Sequence, residues 1–220
     1  LSGDAMLVLA YQFMAECPST FLKEVMDLFS LTALEICEGQ QMDMEFEQRN
    51  DVTAEEYLEM IRLKTAVLLA ASLKIGARLG GASVEDADRL YDFGMHIGVA
   101  FQLKDDLLDV YGNAKVFGKN IGGDILCNKK TYMLIKALEH ANADQHNQLN
   151  SWINAETFQP AEKIAAVTEL YDRIGVKAVC ENKILEYSNR AMESLAAVSI
   201  AEEKKEELKK IIENLIHREV

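Results

Sequence analysis

Proline occurs only twice in 220 residues, at Pro18 and Pro160, and both stand where a helix would begin or break. Elsewhere the apolar residues recur at helical spacing, with no β-type alternation and no internal repeat. The chain therefore reads as all-α, helix after helix. Helices are expected over about 1–16, 19–49, 54–79, 83–112, 129–142, 160–173, 175–198 and 201–217. Thr53 with Glu56 three residues on forms a capping box, and Ser83 with Asp86 marks the next start after the stop at Gly80-Gly81. The 54–79 helix is apolar on every side at Ala66–Leu73, the pattern of a central, buried helix. Glu202–Ile216 is highly charged and amphipathic, which reads as a solvated face.

The hydrophobic share of 49% fits an ordered domain or part of a larger one. A net charge of −13 argues against a nucleic-acid partner. It does not forbid an anionic substrate, because a metal ion and a few lysines can reverse the sign locally. The cysteines at 17, 37, 127 and 180 form no CxxC pair and read as reduced thiols of a cytoplasmic protein. No apolar run reaches the length needed for a transmembrane segment, and Asp4 interrupts any signal-peptide pattern.

The chemistry is concentrated in Phe101-Gln102-Leu103-Lys104-Asp105-Asp106-Leu107-Leu108-Asp109. With Asp105 at zero, an α-helix places Asp109 at about 40°, Gln102 at about 60° and Asp106 at about 100°. Leu103, Leu107 and Val110 point the other way. Three carboxylates on one face repel one another. A hard divalent cation such as Mg2+ would relieve this, its shell completed by water and phosphate oxygens. A solvated acidic face is the alternative, and the apolar flanks argue against it. Next comes a glycine-lysine loop, Phe117-Gly118-Lys119-Asn120-Ile121-Gly122-Gly123-Asp124-Ile125, followed by Asn128-Lys129-Lys130. Alone it fits a surface loop. Behind metal-binding carboxylates, Lys119 and Lys129 suit the oxygens of a metal–diphosphate complex. Lys64-Thr65 lies in the most apolar helix, where the lysine either snorkels to solvent or aims its charge at an anion in a cavity. Glu35, Glu38, Gln40 and Asp43 form a polar seam between helices, with Gly39 permitting close packing.

Together these segments resemble the trans-isoprenyl diphosphate synthases, the polyprenyl synthetase family that includes farnesyl and geranylgeranyl diphosphate synthases. Leu1-Ser2-Gly3-Asp4-Ala5-Met6-Leu7 is similar to the helix after that family's first aspartate-rich region. Gly39-Gln40-Gln41-Met42-Asp43 resembles its GQxxD segment, and Tyr57 to Thr65 its YxxMIxxKT segment. Phe101 to Asp109 resembles its second aspartate-rich motif, FQxxDDxxD, and Gly118-Lys119, Asp124-Ile125 and Lys129 its closing loop. The resemblance implies an isoprenoid synthase-type helical bundle around a central cavity, acting as a homodimer. It implies Mg2+-dependent head-to-tail condensation of isopentenyl diphosphate with an allylic diphosphate, releasing pyrophosphate. By position, Asp105, Asp106 and Asp109 would bind Mg2+, and Lys64, Lys119 and Lys129 the diphosphate. Thr65 and Gln102 would line the site near the developing cation. Phe101 and Gln40 would belong to the isopentenyl and hydrocarbon wall. The family's first aspartate-rich motif is absent from the sequence. The chain is thus expected to be the C-terminal two-thirds of one domain, without its N-terminal helices, and inactive alone. A modulatory prenyltransferase subunit, a terpenoid cyclase and a helical interaction module are the competing readings.

Overall fold

A computed structural model of the chain describes residues 1–112 and 121–216, and no strand occurs among them. In chain order the helices are α1 (Ser2–Ala15), α2 (Ser19–Phe46), α3 (Ala54–Ile61), α4 (Val67–Leu79), α5 (Val84–Tyr111), α6 (Gly123–Leu126), α7 (Tyr132–His140), α8 (Ala143–Ile153), α9 (Pro160–Ile174), α10 (Val176–Ala196) and α11 (Glu206–Ile216). A short 3₁₀ turn, Glu202–Lys204, precedes α11.

The expected start signals operate. Thr53 Oγ1 accepts the Glu56 N–H at 3.1 Å while Glu56 Oε2 accepts the Thr53 N–H at 2.9 Å. Arg49 adds a fork to Glu56 at 2.8 and 3.2 Å. Ser83 caps α5 through the Asp86 N–H at 3.0 Å. Pro160 occupies the first turn of α9, where its missing N–H costs nothing. The helix α8 was not expected from periodicity, because it buries only Leu149. Its readable signal is the capping box of Asn142 with Gln145.

The core is built on α5, which buries Phe93, Val99, Leu103, Leu107 and Val110. It packs on α4 along one side and on α10 along the other. From α10 come Val176, Cys180, Ile184 and Ala191, and the Cys180 thiol reaches the Leu103 carbonyl at 3.7 Å.

Between α3 and α4 the helix widens into a π-type turn, Arg62–Ala66. Periodicity cannot reveal one additional residue in a turn, and such turns occur often at functional sites. Two glycines hold this turn from opposite sides. A Cβ on Gly39 of α2 would collide with the Lys64 backbone nitrogen and stand 2.8 Å from the Leu63 Cβ. A Cβ on Gly98 of α5 would stand 2.6 Å from the Ala66 Cα. The close packing expected at Gly39 is therefore present.

Two expectations are corrected. The 54–79 segment is not buried all round: Leu68 and Leu69 are 47% and 43% exposed, because they face an open groove. Nor is the last segment simply solvated. Lys205, Ile212 and Leu215 are buried, and Lys205 Nζ bonds the Ala196 carbonyl at 3.0 Å and Glu202 Oε1 at 2.8 Å.

Candidate active site

The C-terminal half of α5 carries the carboxylates. Leu103, Leu107 and Val110 are buried, as the periodicity requires, and Asp105 and Asp109 are half-buried at the edge of the core. Asp106 departs from its neighbours. Its offset along the helix turns it inward, where it is 3% exposed and accepts a hydrogen bond from the Tyr57 hydroxyl. Gln102 Nε2 donates to its other oxygen at 3.2 Å, and Thr65 Oγ1 donates to Gln102 Oε1 at 3.3 Å. A directed chain thus links Thr65 on the wide turn, Gln102 and Asp106 on α5, and Tyr57 on α3. Burial pushes the Asp106 carboxyl up to about 7, although the Tyr57 hydrogen bond pulls against this. Burial, reinforced by the Asp106 charge, raises the Tyr57 hydroxyl well above its ordinary value, so it remains a donor.

Gly122 and Asp124 lie back against Asp109. The Gly122 N–H donates to the Asp109 carbonyl at 2.6 Å, and the Asp124 N–H to Asp109 Oδ2 at 2.9 Å. Asp124 is raised by burial and by the Asp109 charge, while Lys129 opposes the shift. Lys129 Nζ lies 3.6 Å from Asp124 Oδ1. Burial works against its ammonium, and Asp124, Asp106 and Asp43 override that and hold its pKa above the ordinary range. Lys64 Nζ pairs with Asp43 Oδ2 at 2.6 Å. Lys119 lies outside the described residues, as do Phe117 and Gly118.

From Lys64 and Thr65 an apolar groove of about 980 Å³ runs between α4, α5 and α11. Leu68, Leu69, Phe93, Ile97, Phe101 and Ile211 are among the residues that line it. Phe101 and Thr65 are both part of its lining. Gln40 is exposed on α2 and is not part of this lining. Sequence reasoning missed Tyr57 as the partner of Asp106, although Tyr57 opens the segment that ends in Lys64-Thr65. It also left Asp43 in a polar seam rather than beside Lys64.

Among the described residues no three Asp, Glu, His or Cys side chains form a ready-made metal cage. The donor set nevertheless fits Mg2+, which takes hard oxygen ligands and commonly only one or two carboxylates. Asp105 and Asp109 are hard oxygen donors half-buried at the edge of the core, and Asp109 Oδ2 already accepts the Asp124 N–H. The oxygens of Asp106 are engaged by Tyr57 and Gln102, and each carboxylate oxygen has a second lone pair.

Helices gathered around an apolar groove, with Lys64 and Thr65 in its lining and Gln102 linking Thr65 to the buried Asp106, form an all-α bundle. The chain belongs to the polyprenyl synthetase family, whose model matches residues 1–171. It is 36% identical over 220 residues to a short chain isoprenyl diphosphate synthase of Methanothermobacter thermautotrophicus, covering 100% of this chain and 66% of that protein. The crystal structure of a geranylgeranyl pyrophosphate synthase superposes with a TM-score of 0.93 at 38% identity, covering 100% of this chain and 68% of that one. A geranylgeranyl pyrophosphate synthase from Corynebacterium glutamicum, complexed with isoprenyl diphosphate and magnesium, matches with a TM-score of 0.88 at 29% identity. That match covers 98% of this chain and 62% of the other. The chain thus spans just under two thirds of the length of the Methanothermobacter relative. No helix among the described residues is long and apolar enough to cross a membrane.

Proposed function

We propose that this chain carries the diphosphate-ionising part of a prenyl diphosphate synthase, a Mg2+-dependent prenyltransferase of isoprenoid biosynthesis. The observation that carries the reading is Lys129 held by the charges of Asp124, Asp106 and Asp43, with Lys64 paired to that same Asp43 and lining an apolar groove together with Thr65. The substrates would be an allylic diphosphate and isopentenyl diphosphate. Mg2+ held by the α5 aspartates would neutralise negative charge on the departing diphosphate. Lys129 and Lys64, with Lys119, would add fixed positive charge to the same oxygens. As the allylic C–O bond breaks, the Thr65 and Gln102 dipoles face the carbon that gains positive charge. The isopentenyl double bond would then form a bond to that carbon, and the C–H bond next to the resulting cation would give its electrons to a new double bond and its proton to an oxygen of the departed diphosphate. Leu68, Leu69, Phe93 and Phe101 would hold the hydrocarbon and exclude water.

The lysine–aspartate cluster and the names of the relatives favour this reading over a modulatory subunit or an interaction module. The sequence lacks the family's first aspartate-rich motif, so we expect the 220 residues alone to bind the leaving group without turning over substrate. Exposed apolar residues on α1 and α2, among them Met6, Phe13 and Leu34, support a homodimer. The four free cysteines support a cytoplasmic setting.

Calorimetric titration of the chain with inorganic pyrophosphate tests the proposal. Binding should require Mg2+ and be lost in Asp105→Ala. Binding that ignores Mg2+ or survives that substitution would favour the interaction module.

A further inference from the structure

Lys163 on α9 is 1% exposed, and among the described residues its partners are all neutral. Its Nζ donates to Asn128 Oδ1 at 2.7 Å, approaches the Leu126 carbonyl at 3.5 Å and lies 4.3 Å from the centre of the Phe158 ring. A buried ammonium without a carboxylate is costly. Burial accordingly lowers its pKa from the ordinary lysine value.

Its two hydrogen-bonding partners lie immediately before Lys129. Leu126 ends α6, and Asn128 holds a left-handed backbone with φ 52°. Asn128 is fixed from its other end as well, since its Nδ2 donates to the Ile153 carbonyl at 3.0 Å. The turn so formed returns the Lys129 N–H to the Asp124 carbonyl at 3.0 Å and sets Lys129 Nζ beside Asp124. The next residue of α9 supports the start of the same segment. A Cβ on Gly122 would stand 2.7 Å from the Ile164 Cδ1, so the backbone there lies directly on that side chain. Two adjacent residues of α9, Lys163 and Ile164, thus touch both ends of the 122–128 segment.

We propose that Lys163 is a positioning residue for Lys129: its buried ammonium clamps the Leu126–Asn128 turn and so fixes where the Lys129 charge meets a diphosphate. This rests on the reading of Lys129 as a diphosphate ligand. Among the described residues, both hydrogen bonds of Lys163 fall on that one turn, where a residue that only stabilised the fold would have no need to place them.

The test is titration of the 220-residue chain with inorganic pyrophosphate and Mg2+, at a temperature where circular dichroism shows each variant folded. Lys129→Ala should weaken binding about tenfold or more, and Lys163→Met by a similar factor, as loss of a supporting partner does around other ligand groups. The double variant should be no weaker than either single one. Asn128→Gly keeps the left-handed backbone but removes the acceptor, so it should weaken binding as Lys163→Met does. It also decides the matter if Lys163→Met fails to fold. Parent-like affinity in folded Lys163→Met, or in Asn128→Gly, with weakened Lys129→Ala overturns the clamp alone. Parent-like affinity in Lys129→Ala overturns the diphosphate reading and the clamp with it.

Discussion

Tyr57 and Asp106 are both buried, and each satisfies the other. Removing one hydroxyl leaves a buried carboxylate oxygen without its donor. Tyr57→Phe should therefore cost about 1–3 kcal/mol, read as a lower urea midpoint with an unchanged slope. The spacing of the three aspartates marked a candidate site, and their helical angles put Leu103, Leu107 and Val110 behind them, where the structure buries all three. The angles did not show that Asp106 turns inward. That depends on Tyr57, 49 positions away in sequence, whose hydroxyl meets Asp106 only once α3 lies beside α5. Lys163 was illegible for the same reason. A lysine in an ordinary amphipathic helix carries no mark of burial until a second element covers it.

At the scale of elements, α2 and α5 clamp the wide turn because Gly39 and Gly98 bring their backbones close to it. Gly39→Ala and Gly98→Ala should each destabilise by about 1–3 kcal/mol through overpacking, measured by denaturant unfolding. Both should also weaken Mg2+–pyrophosphate binding, since the displaced turn carries Lys64. The last helix has a different dependence. Lys205 and Lys209 hold the Glu202 carboxylate down at about 2, against an ordinary 4.5. Because the folded value is the lower one, its stabilisation is complete above about pH 4.5 and is lost as the pH falls towards 2. The difference in melting temperature between the parent and Glu202→Gln should shrink across that interval. Helix starts were the most legible elements, since Thr53–Glu56 and Ser83–Asp86 announce themselves locally. The α8 helix was hidden because its polar sequence buries one leucine.

Over the whole molecule, α1 buries none of its side chains, and Met6 and Phe13 are 70% and 65% exposed. If this surface joins two copies, Phe13→Asp with Leu34→Asp should convert a dimer to a monomer in sedimentation. The groove was legible only as an expectation of a central cavity. Two of its walls, α4 and α5, are neighbours in sequence, but the third comes from Leu208 and Ile211 of α11, more than a hundred positions beyond Phe101.

The turn at Arg62–Ala66 also sets an angular phase. Lys64 and Thr65 stand on it, while Leu68, Leu69, Ser72 and Leu73 of α4 form the wall beyond it. Deleting one residue from that turn would rotate everything after it by about 100° and draw it back by about 1.5 Å. The leucines would then face a neighbouring helix instead of the groove. The charged end and the greasy wall are thus geared together, and neither can be shifted by a single residue without turning the other away.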